Sequence, residues 1–327
     1  MSAIVAVSNL VVSYGMDDGE VMALDGVDLD IVPGESVGIV GESGSGKSTL
    51  GMAIGKLLAP NARFLGGEVR VAGLSILSCP PAKLRQVRRD CLGFVYQNPM
   101  SALDPTMRVG RQVALAIGDR AGPTEIEALL GRVGLPDAAR VAVGFPHELS
   151  GGMAQRVVIA LAIARNPSVL IADEPTASLD ASIQGVILEL LAALRRDTGA
   201  SLVLLSHDLR MVARRCERLL VMYGGRVVES GPSRRVLHDP RHPYTRALIR
   251  AAAGNEGPGG ILEPIPGVPP VLRRSSPDCA FAERCEFAQP RCRLERPPAH
   301  RVDGREVACH YATGELIRAE RTSAAPA

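Results

Sequence analysis

The sequence predicts an α/β fold in which a glycine-rich loop joins a buried strand to a helix. Val37 to Val40 form a short apolar run that is typical of a strand buried on both faces. The stretch Gly41 to Thr49 follows directly and is rich in glycine and serine. Leu50 to Leu58 then show apolar and small residues at helical spacing. A strand, a glycine loop and a helix in this order are the setting of a loop that holds phosphate groups.

The chemistry of this loop favours nucleotide binding with magnesium. Glycines let backbone N–H groups converge on an anion, and the start of the helix adds a partial positive charge. Lys47 can reach the terminal phosphates, and the hydroxyl of Ser48 can bind Mg²⁺. The predicted phosphate-binding residues are Gly41, Ser43, Gly44, Ser45, Gly46, Lys47, Ser48 and Thr49. The loop alone predicts no particular reaction, because the same fold serves several classes of protein.

Composition places the chain among globular proteins with an aliphatic core. Its 327 residues are 46% hydrophobic and only 3% aromatic. The net charge of +2 argues neither for nor against a nucleic-acid partner, but no run of lysines or arginines forms a stripe for a phosphate backbone. We expect no nucleic-acid partner. The longest apolar run, Val157 to Ala164, is far shorter than the roughly 20 residues that span a bilayer. No signal peptide is recognisable, and we expect a soluble or peripheral chain in the cytosol.

Two β-rich stretches precede the loop. Ile4 to Ser13 is rich in β-formers, and Val27 to Ile31 alternates apolar and acidic residues, which predicts an antiparallel N-terminal sheet. Tyr14 lies between them. Its ring can stack on a base, but packing of a strand-end tyrosine on its own sheet is an equally good interpretation.

A helical insertion is predicted at about 98–165, after strands at Gly67 to Ala72 and Leu92 to Gln97. Ser150 precedes Gly151 and Gly152 and has the position of a helix N-cap, where backbone donors can hold phosphate. Without further context, ordinary helix capping is the simpler interpretation.

Acidic residues end the next buried strand. Asp173 and Glu174 follow an apolar run, and a carboxylate at the carboxyl edge of a parallel strand indicates a metal site. Asp173 can face Mg²⁺, and Glu174 can take a proton from an attacking water. The alternative is that both acids only end the strand in solvent. His207 follows the strand at Ser201 to Ser206 and can donate to a phosphate oxygen, although alone it would more often be structural.

Together these segments resemble the nucleotide-binding subunits of ABC transporters over about residues 4–250. The deciding segment is Leu149 to Arg156, which is similar to the ABC signature and lies between Gln97 and Asp173 in the family's order. The resemblance implies a RecA-like P-loop NTPase core with an N-terminal antiparallel β subdomain and an inserted α-helical subdomain. It also implies ATP and Mg²⁺ as cofactors.

The resemblance assigns a role to each motif. Tyr14 is implied to stack on adenine, Ser48, Gln97 and Asp173 to serve Mg²⁺, and Glu174 to be the catalytic base. Gln97 also senses the attacking water and couples the site to the membrane subunits, and His207 belongs to the switch loop. The residues implied to meet ATP across a head-to-tail dimer are Ser150, Gly151, Gly152, Gln155 and Asp180.

The C-terminal part resembles the oligopeptide/dipeptide and nickel uptake ATPases. Arg241 to Leu248, Ile265 to Pro270 and four cysteines carry this resemblance. We therefore divide the chain into a nucleotide-binding domain at 1–240 and a cysteine-rich extension at 241–327.

The four cysteines of the extension are Cys279, Cys285, Cys292 and Cys309, spaced Cys-x5-Cys-x6-Cys-x16-Cys. Disulfides are disfavoured in a reducing cytosol, and structural zinc usually takes cysteine pairs with two to four intervening residues. Four thiolates in a loop-rich segment favour a [4Fe–4S] cluster, which some relatives are thought to carry. Unmetallated thiols and zinc stay open as alternatives.

The resemblance implies an ATPase that powers a di- or oligopeptide importer from the cytoplasmic face of the membrane. The implied partners are a second, homologous ABC ATPase, two transmembrane permease subunits and an extracytoplasmic substrate-binding protein. Nickel or another small solute is an alternative cargo. A non-transport ABC ATPase fits less well, because the chain has one phosphate loop and a short segment between Lys47 and Ser150. A P-loop kinase leaves Gln97 and the signature unexplained.

Overall fold

The computed structural model describes residues 2–17, 19–118, 120–177, 179–253, 264–273 and 275–312. Its chain forms two compact units. Unit 1 comprises the residues up to Val5, Ile31–Glu35 and Arg70–Leu205, and unit 2 comprises Ala6–Asp30, Ser36–Val69 and the residues from Ser206 onward. Ser178 and the parts of the predicted extension at 254–263 and 313–327 lie outside the described residues.

Unit 2 contains most of the strands. The strands are β1 (Val5–Met16), β2 (Gly19–Ile31), β3 (Ser36–Val40), β4 (Ala62–Val71), β9 (Arg218–Tyr223), β10 (Arg226–Pro232), β11 (Ala299–Val302) and β12 (Arg305–Ala308). Three of them pair in the order β2-β1-β4, and the five others pair in the order β11-β12-β10-β9-β3. In the second group β3 and β9 are parallel, whereas β9, β10, β12 and β11 pair antiparallel.

The helices of unit 2 are short. The first of them starts at Lys47 and ends at Ile54, so it is shorter than the apolar pattern to Leu58 predicts. They are α1 (Lys47–Ile54), α9 (Leu209–Ala213), α10 (Ser233–His238) and α11 (Pro243–Ala253), with 3₁₀ turns at Ala282–Arg284 and Pro290–Arg293.

Unit 1 holds a parallel sheet and a group of helices. Its strands β6 (Leu92–Val95), β7 (Val169–Asp173) and β8 (Ser201–Ser206) pair in parallel as far as Leu205, and β5 (Leu74–Ser75) pairs with the end of β4. The helices are α2 (Pro81–Asp90), α3 (Pro99–Ala102), α4 (Val109–Ile117), α5 (Pro123–Arg132), α6 (Ala138–Val143), α7 (Gly151–Ile163) and α8 (Ala181–Thr198). The run α3 to α7 is the helical insertion that the sequence predicts.

The core is aliphatic, as the composition predicts. Every residue of β3, β7 and β8 is buried, which is the pattern of central strands covered on both faces. In the described part of the chain no helix is both long and apolar enough to cross a bilayer.

Two sequence predictions of local structure were wrong. Tyr14 does not follow the first strand but lies inside it, because β1 continues to Met16. The extension, predicted to be irregular, contains a hairpin of β11 and β12, in which β12 also pairs with β10 through Glu229 and Val307. The boundary at residues 240/241 stays a prediction, since both sides of it lie in unit 2.

Candidate nucleotide-binding site

The phosphate loop lies in unit 2 between β3 and α1, and its backbone needs glycine at two positions. Gly41 has φ +156° and Gly46 has φ +100°. A Cβ at Gly41 would lie 2.2 Å from the Met222 carbonyl oxygen, and one at Gly46 would lie 2.5 Å from that of Ala23. Because both neighbours are backbone atoms, no side chain fits at either position, and the loop keeps its tight turn.

Lys47 is the buried cation of this loop. Its Nζ donates to the carbonyl oxygens of Gly41 and Glu42, both at 2.8 Å. Only 5% of the residue is exposed, whereas Ser43, Gly44 and Ser48 are exposed. The carbonyl oxygens of the loop therefore hold the lysine side chain inside the loop, while the exposed residues of the loop are small or polar. This arrangement suits the binding of phosphate groups and Mg²⁺.

Tyr14 contacts the helix that follows the loop. Its hydroxyl lies 3.4 Å from Oγ1 of Thr49, within unit 2. Tyr14 is partly exposed, so its side chain lies at the edge of the core rather than inside it. The predicted stacking of this ring on adenine stays a prediction.

Gln97 and Glu174 meet in unit 1. Nε2 of Gln97 donates to Oε2 of Glu174 at 3.3 Å. Glu174 has φ +43°, a left-handed conformation that is uncommon for residues other than glycine, and its N–H donates to the Leu205 carbonyl at 3.0 Å. Such backbone strain concentrates at functional sites. The structure thus brings together the two side chains that the sequence assigned to water and proton handling.

The remaining predicted acids and the histidine lie at the boundaries of secondary-structure elements. Asp173 is the last residue of β7 and is 7% exposed, and Asp180 is the exposed N-cap residue of α8. His207 follows β8 and is exposed in unit 2. A buried carboxylate at a strand end suits a cation, and the roles of these three residues stay predictions.

The signature segment forms the start of α7 in unit 1. The Ser150 hydroxyl caps this helix by accepting from the Met153 N–H at 3.3 Å, so the predicted N-cap is confirmed. Gly151 is exposed, and Gly152 is buried against Ile183. Gln155 is fully buried, and within the described part of the chain neither of its side-chain polar atoms has a hydrogen-bond partner. Its side chain does not reach the surface of the chain. The contact of Gln155 with ATP stays a prediction.

The four cysteines of the extension line one cavity in unit 2 together with residues that include His242, Phe281 and His310. All are free thiols. Burial, with smaller contributions from neighbouring cysteines, raises the pKa of Cys285 to about 12 and that of Cys309 to about 11. Among the described residues, however, no group of three or more His, Cys, Asp or Glu is arranged to hold a metal ion. The expected [4Fe–4S] cluster is therefore not supported by the coordination geometry.

Sequence reasoning missed two residues that contact the phosphate loop. Arg284, next to Cys285, pairs with the Glu42 carboxylate at 2.7 and 3.1 Å, and Tyr244 accepts a hydrogen bond from the Glu42 N–H at 2.9 Å. Both residues lie in the extension, more than 200 positions away along the chain. The Arg241 to Leu248 segment singled out Tyr244 as part of a pattern, but no signal in the sequence linked either residue to the loop.

Comparison with known proteins places this arrangement in a family. Residues 24–177 match the family model described as ABC transporter, and residues 228–292 match that of the oligopeptide/dipeptide transporter C-terminal region. A protein of Brucella abortus (strain 2308), named as a peptide import ATP-binding protein, is 41% identical over 310 residues, which cover 93% of each chain. The chain belongs to the ABC transporter family.

Solved structures agree with this membership. A dimeric bacterial ABC transporter cassette aligns with this ABC ATPase at a TM-score of 0.63 and 33% identity, covering 70% of this chain and 98% of the other. The dimeric post-hydrolysis state of the same cassette, bound to ADP and Pi, aligns at 0.63 and 34% over the same shares. The α/β fold of the P-loop class, with its antiparallel β subdomain, is thereby confirmed, and so is the assignment of the chain as an ATPase.

Proposed function

We propose that this ABC ATPase powers the import of dipeptides and oligopeptides. The observation that carries the proposal is the match of residues 228–292 to the oligopeptide/dipeptide transporter C-terminal region in a chain whose residues 24–177 match the cassette. The name of the Brucella relative supports the same cargo class. Nickel or another small solute is the alternative within the subfamily, and the experiment below separates the two.

In the proposed reaction the loop Gly41 to Thr49 binds the phosphates of ATP, and Lys47 neutralises their charge. The hydroxyl of Ser48 in unit 2 would be a ligand of Mg²⁺, which neutralises charge on the phosphates when bound. For unit 1, we propose the carboxylate of Asp173 as a Mg²⁺-binding group. Glu174 takes the proton of the attacking water, and Gln97 orients that water. The hydrogen bond between Gln97 and Glu174 supports their joint action.

The remaining steps need further subunits. We propose that Ser150, Gly151 and Asp180 act on the ATP that a second, homologous ABC ATPase binds, so that two complete sites form only in the dimer. His207 contacts the terminal phosphate, and Tyr14 stacks on adenine. Closing and opening of this dimer drive two permease subunits at the cytoplasmic face of the membrane, and an extracytoplasmic binding protein delivers the cargo.

We also propose that Cys279, Cys285, Cys292 and Cys309 hold a [4Fe–4S] cluster. Three facts support this: the four thiols line one cavity, each is at least partly buried, and none is in a disulfide. A cluster would supply irons for the thiolates to bind, although the described side chains are not arranged to hold a single metal ion. Because burial raises the pKa of Cys285 and of Cys309, binding of a metal centre by these two thiolates would have to release protons.

The cargo is tested with the assembled transporter in proteoliposomes. We expect peptides of two to five residues, added with the binding protein, to stimulate ATP hydrolysis and to accumulate in an ATP-dependent manner. The Glu174→Gln variant is the matched control and should do neither. Stimulation by Ni²⁺ but not by any peptide would overturn the peptide assignment and leave the ATPase assignment intact.

The cluster is tested by anaerobic purification followed by iron, sulfide and zinc analysis. We expect iron and acid-labile sulfide in equal amounts, lost when Cys285 is replaced by serine and retained when Cys79, outside the cavity, is replaced. Zinc alone, or no metal, would contradict the proposal.

A further inference from the structure

The C-terminal extension contacts the phosphate loop through an ion pair that is bidentate and largely buried. Arg284 donates from Nη1 to Oε2 of Glu42 at 2.7 Å and from Nη2 to Oε1 at 3.1 Å. The arginine side chain is 5% exposed and the glutamate side chain 25%. A two-pronged pair of this kind fixes both partners in angle as well as in distance, and it is stronger than an exposed pair.

The guanidinium of Arg284 has an acceptor for every N–H it carries. Besides the two bonds to Glu42, Nε donates to the Pro266 carbonyl at 2.7 Å, Nη2 to the Ile265 carbonyl at 3.1 Å and Nη1 to the Tyr223 hydroxyl at 3.2 Å. An arginine has five N–H donors, so its position is fully determined. The carbonyls come from the extension, whereas Glu42 belongs to the phosphate loop and Tyr223 ends β9. Arg284 therefore ties the extension to the loop.

Glu42 is held at all three of its polar groups. Its carboxylate is bound by Arg284, its N–H donates to the Tyr244 hydroxyl at 2.9 Å, and its carbonyl accepts from Lys47 Nζ at 2.8 Å. Tyr244 is fully buried and packs against Tyr223 at a ring distance of 4.5 Å. The contacts thus run without a gap from the extension through Glu42 to Lys47, the buried cation of the phosphate loop.

We propose that Arg284 is a positioning residue of the nucleotide site, and that the extension sets the affinity of the phosphate loop for ATP by holding Glu42. This inference rests on the proposed role of Gly41 to Thr49 in binding the phosphates. Two physical effects carry it. The arginine fixes the residue whose carbonyl holds Lys47, and it neutralises a carboxylate that would otherwise repel the anionic phosphates.

The test compares Arg284→Ala with Arg284→Lys in the assembled transporter. We expect the alanine variant to raise the KM for ATP about tenfold while kcat changes less than about twofold, because the lost interaction serves binding and not the chemical step. Lysine keeps the charge but not the fork, so it should recover part of the affinity. If the Arg284–Glu42 pair only anchored the extension, Arg284→Ala would lower the thermal stability and leave the KM for ATP unchanged.

Arg293→Ala is the matched control. Arg293 pairs with Glu283 at 3.2 Å in the same extension, and neither residue belongs to the phosphate loop. This variant should keep the parent KM and kcat. An equal rise of the KM in both arginine variants would overturn the proposal in favour of a general loosening of the extension.

A double-mutant cycle keeps the test decisive if Arg284→Ala folds poorly. Glu42→Gln, Arg284→Lys and their combination should be non-additive in ATP affinity, since both changes act on one contact. Additive effects would overturn the proposal. Lys47→Ala is measured in parallel: if it abolishes binding of ATP while Arg284→Ala and Arg284→Lys bind like the parent, the phosphate site stands and the role of Arg284 is wrong.

Discussion

Gln97 donates a hydrogen bond of 3.3 Å from its side-chain amide to the carboxylate of Glu174. The two residues are 77 positions apart, and one follows β6 whereas the other follows β7. Because β6 and β7 are parallel neighbours, their carboxyl ends lie side by side and bring the two residues together. The side-chain amide of Gln97 thereby fixes the orientation of the Glu174 carboxylate.

The first prediction concerns the proton acceptor. Glu174→Gln keeps the size of the side chain but cannot accept a proton, so we expect ATP turnover to fall by at least about 100-fold while ATP still binds. Turnover and retention of ATP by the purified dimer measure the two effects. Glu189→Gln on α8, which breaks an exposed pair with Arg196, is the control and should hydrolyse ATP normally. Hydrolysis at the parent rate by Glu174→Gln would rule out its role as base.

The second prediction concerns the cation of the phosphate loop. Lys47→Ala removes both the charge and the hydrogen bonds to the Gly41 and Glu42 carbonyls, so ATP affinity should fall by more than about tenfold. Titration with a non-hydrolysable ATP analogue measures it. Lys83→Ala, at an exposed position on α2, should bind as the parent does. Unchanged affinity in Lys47→Ala would exclude the loop as the phosphate site.

The third prediction concerns pH. His242 is buried, and burial lowers its pKa from 6.5 to about 3. In the unfolded chain this histidine is therefore protonated below about pH 6.5, whereas in the folded chain it stays neutral down to about pH 3. Stability contributed by this group is complete above pH 6.5 and falls on acidification, at up to about 1.4 kcal/mol per pH unit.

The His242→Asn variant isolates this effect. Asparagine can accept the hydrogen bond that the Tyr244 N–H donates to His242 Nδ1, but it does not titrate. Urea unfolding between about pH 7 and pH 5 should show a weaker dependence on pH in the variant, even if its stability at neutral pH is lower. Identical slopes in parent and variant would contradict the buried neutral histidine.

The fourth prediction concerns Gln155, whose buried amide has no hydrogen-bond partner within the described residues. Unsatisfied buried polar atoms cost about 1–3 kcal/mol each, so Gln155→Met should leave the free energy of unfolding unchanged or raise it by about 1–2 kcal/mol. Gln184→Met is the contrast, since its amide donates to the Thr176 and Leu179 carbonyls and its loss should destabilise the chain. Equal destabilisation by both changes would show that Gln155 is satisfied.

Local patterns in the sequence predicted the parts of the fold that depend on neighbouring residues. The strand before the loop and the cap at Ser150 follow from spacing and residue type over a few positions, and the structure confirms both. The left-handed backbone of Glu174 was not predictable, because a carboxylate after a buried strand carries no mark of its dihedral angles.

Contacts between distant segments explain the other misses. Arg284 reads as an ordinary charged residue between two cysteines, and only the folded chain brings it to Glu42, 242 positions away. Arg305 is similar, because it is 1% exposed in the structure although most arginines lie at the surface. Its burial depends on Asp239, which follows α10, and on Glu229 of β10. Neither environment has a periodicity that a sequence window can detect.

The hairpin of β11 and β12 has a consequence for the solubility of the protein. Without it, β10 would be an outer strand with a row of unpaired backbone groups, open to pairing with strands of other molecules. The hairpin replaces that edge with β11, which is four residues long and carries His300 and Arg301. Short, charged edges resist such pairing. A chain shortened before Ala299 should therefore aggregate, even if every residue that binds ATP is retained.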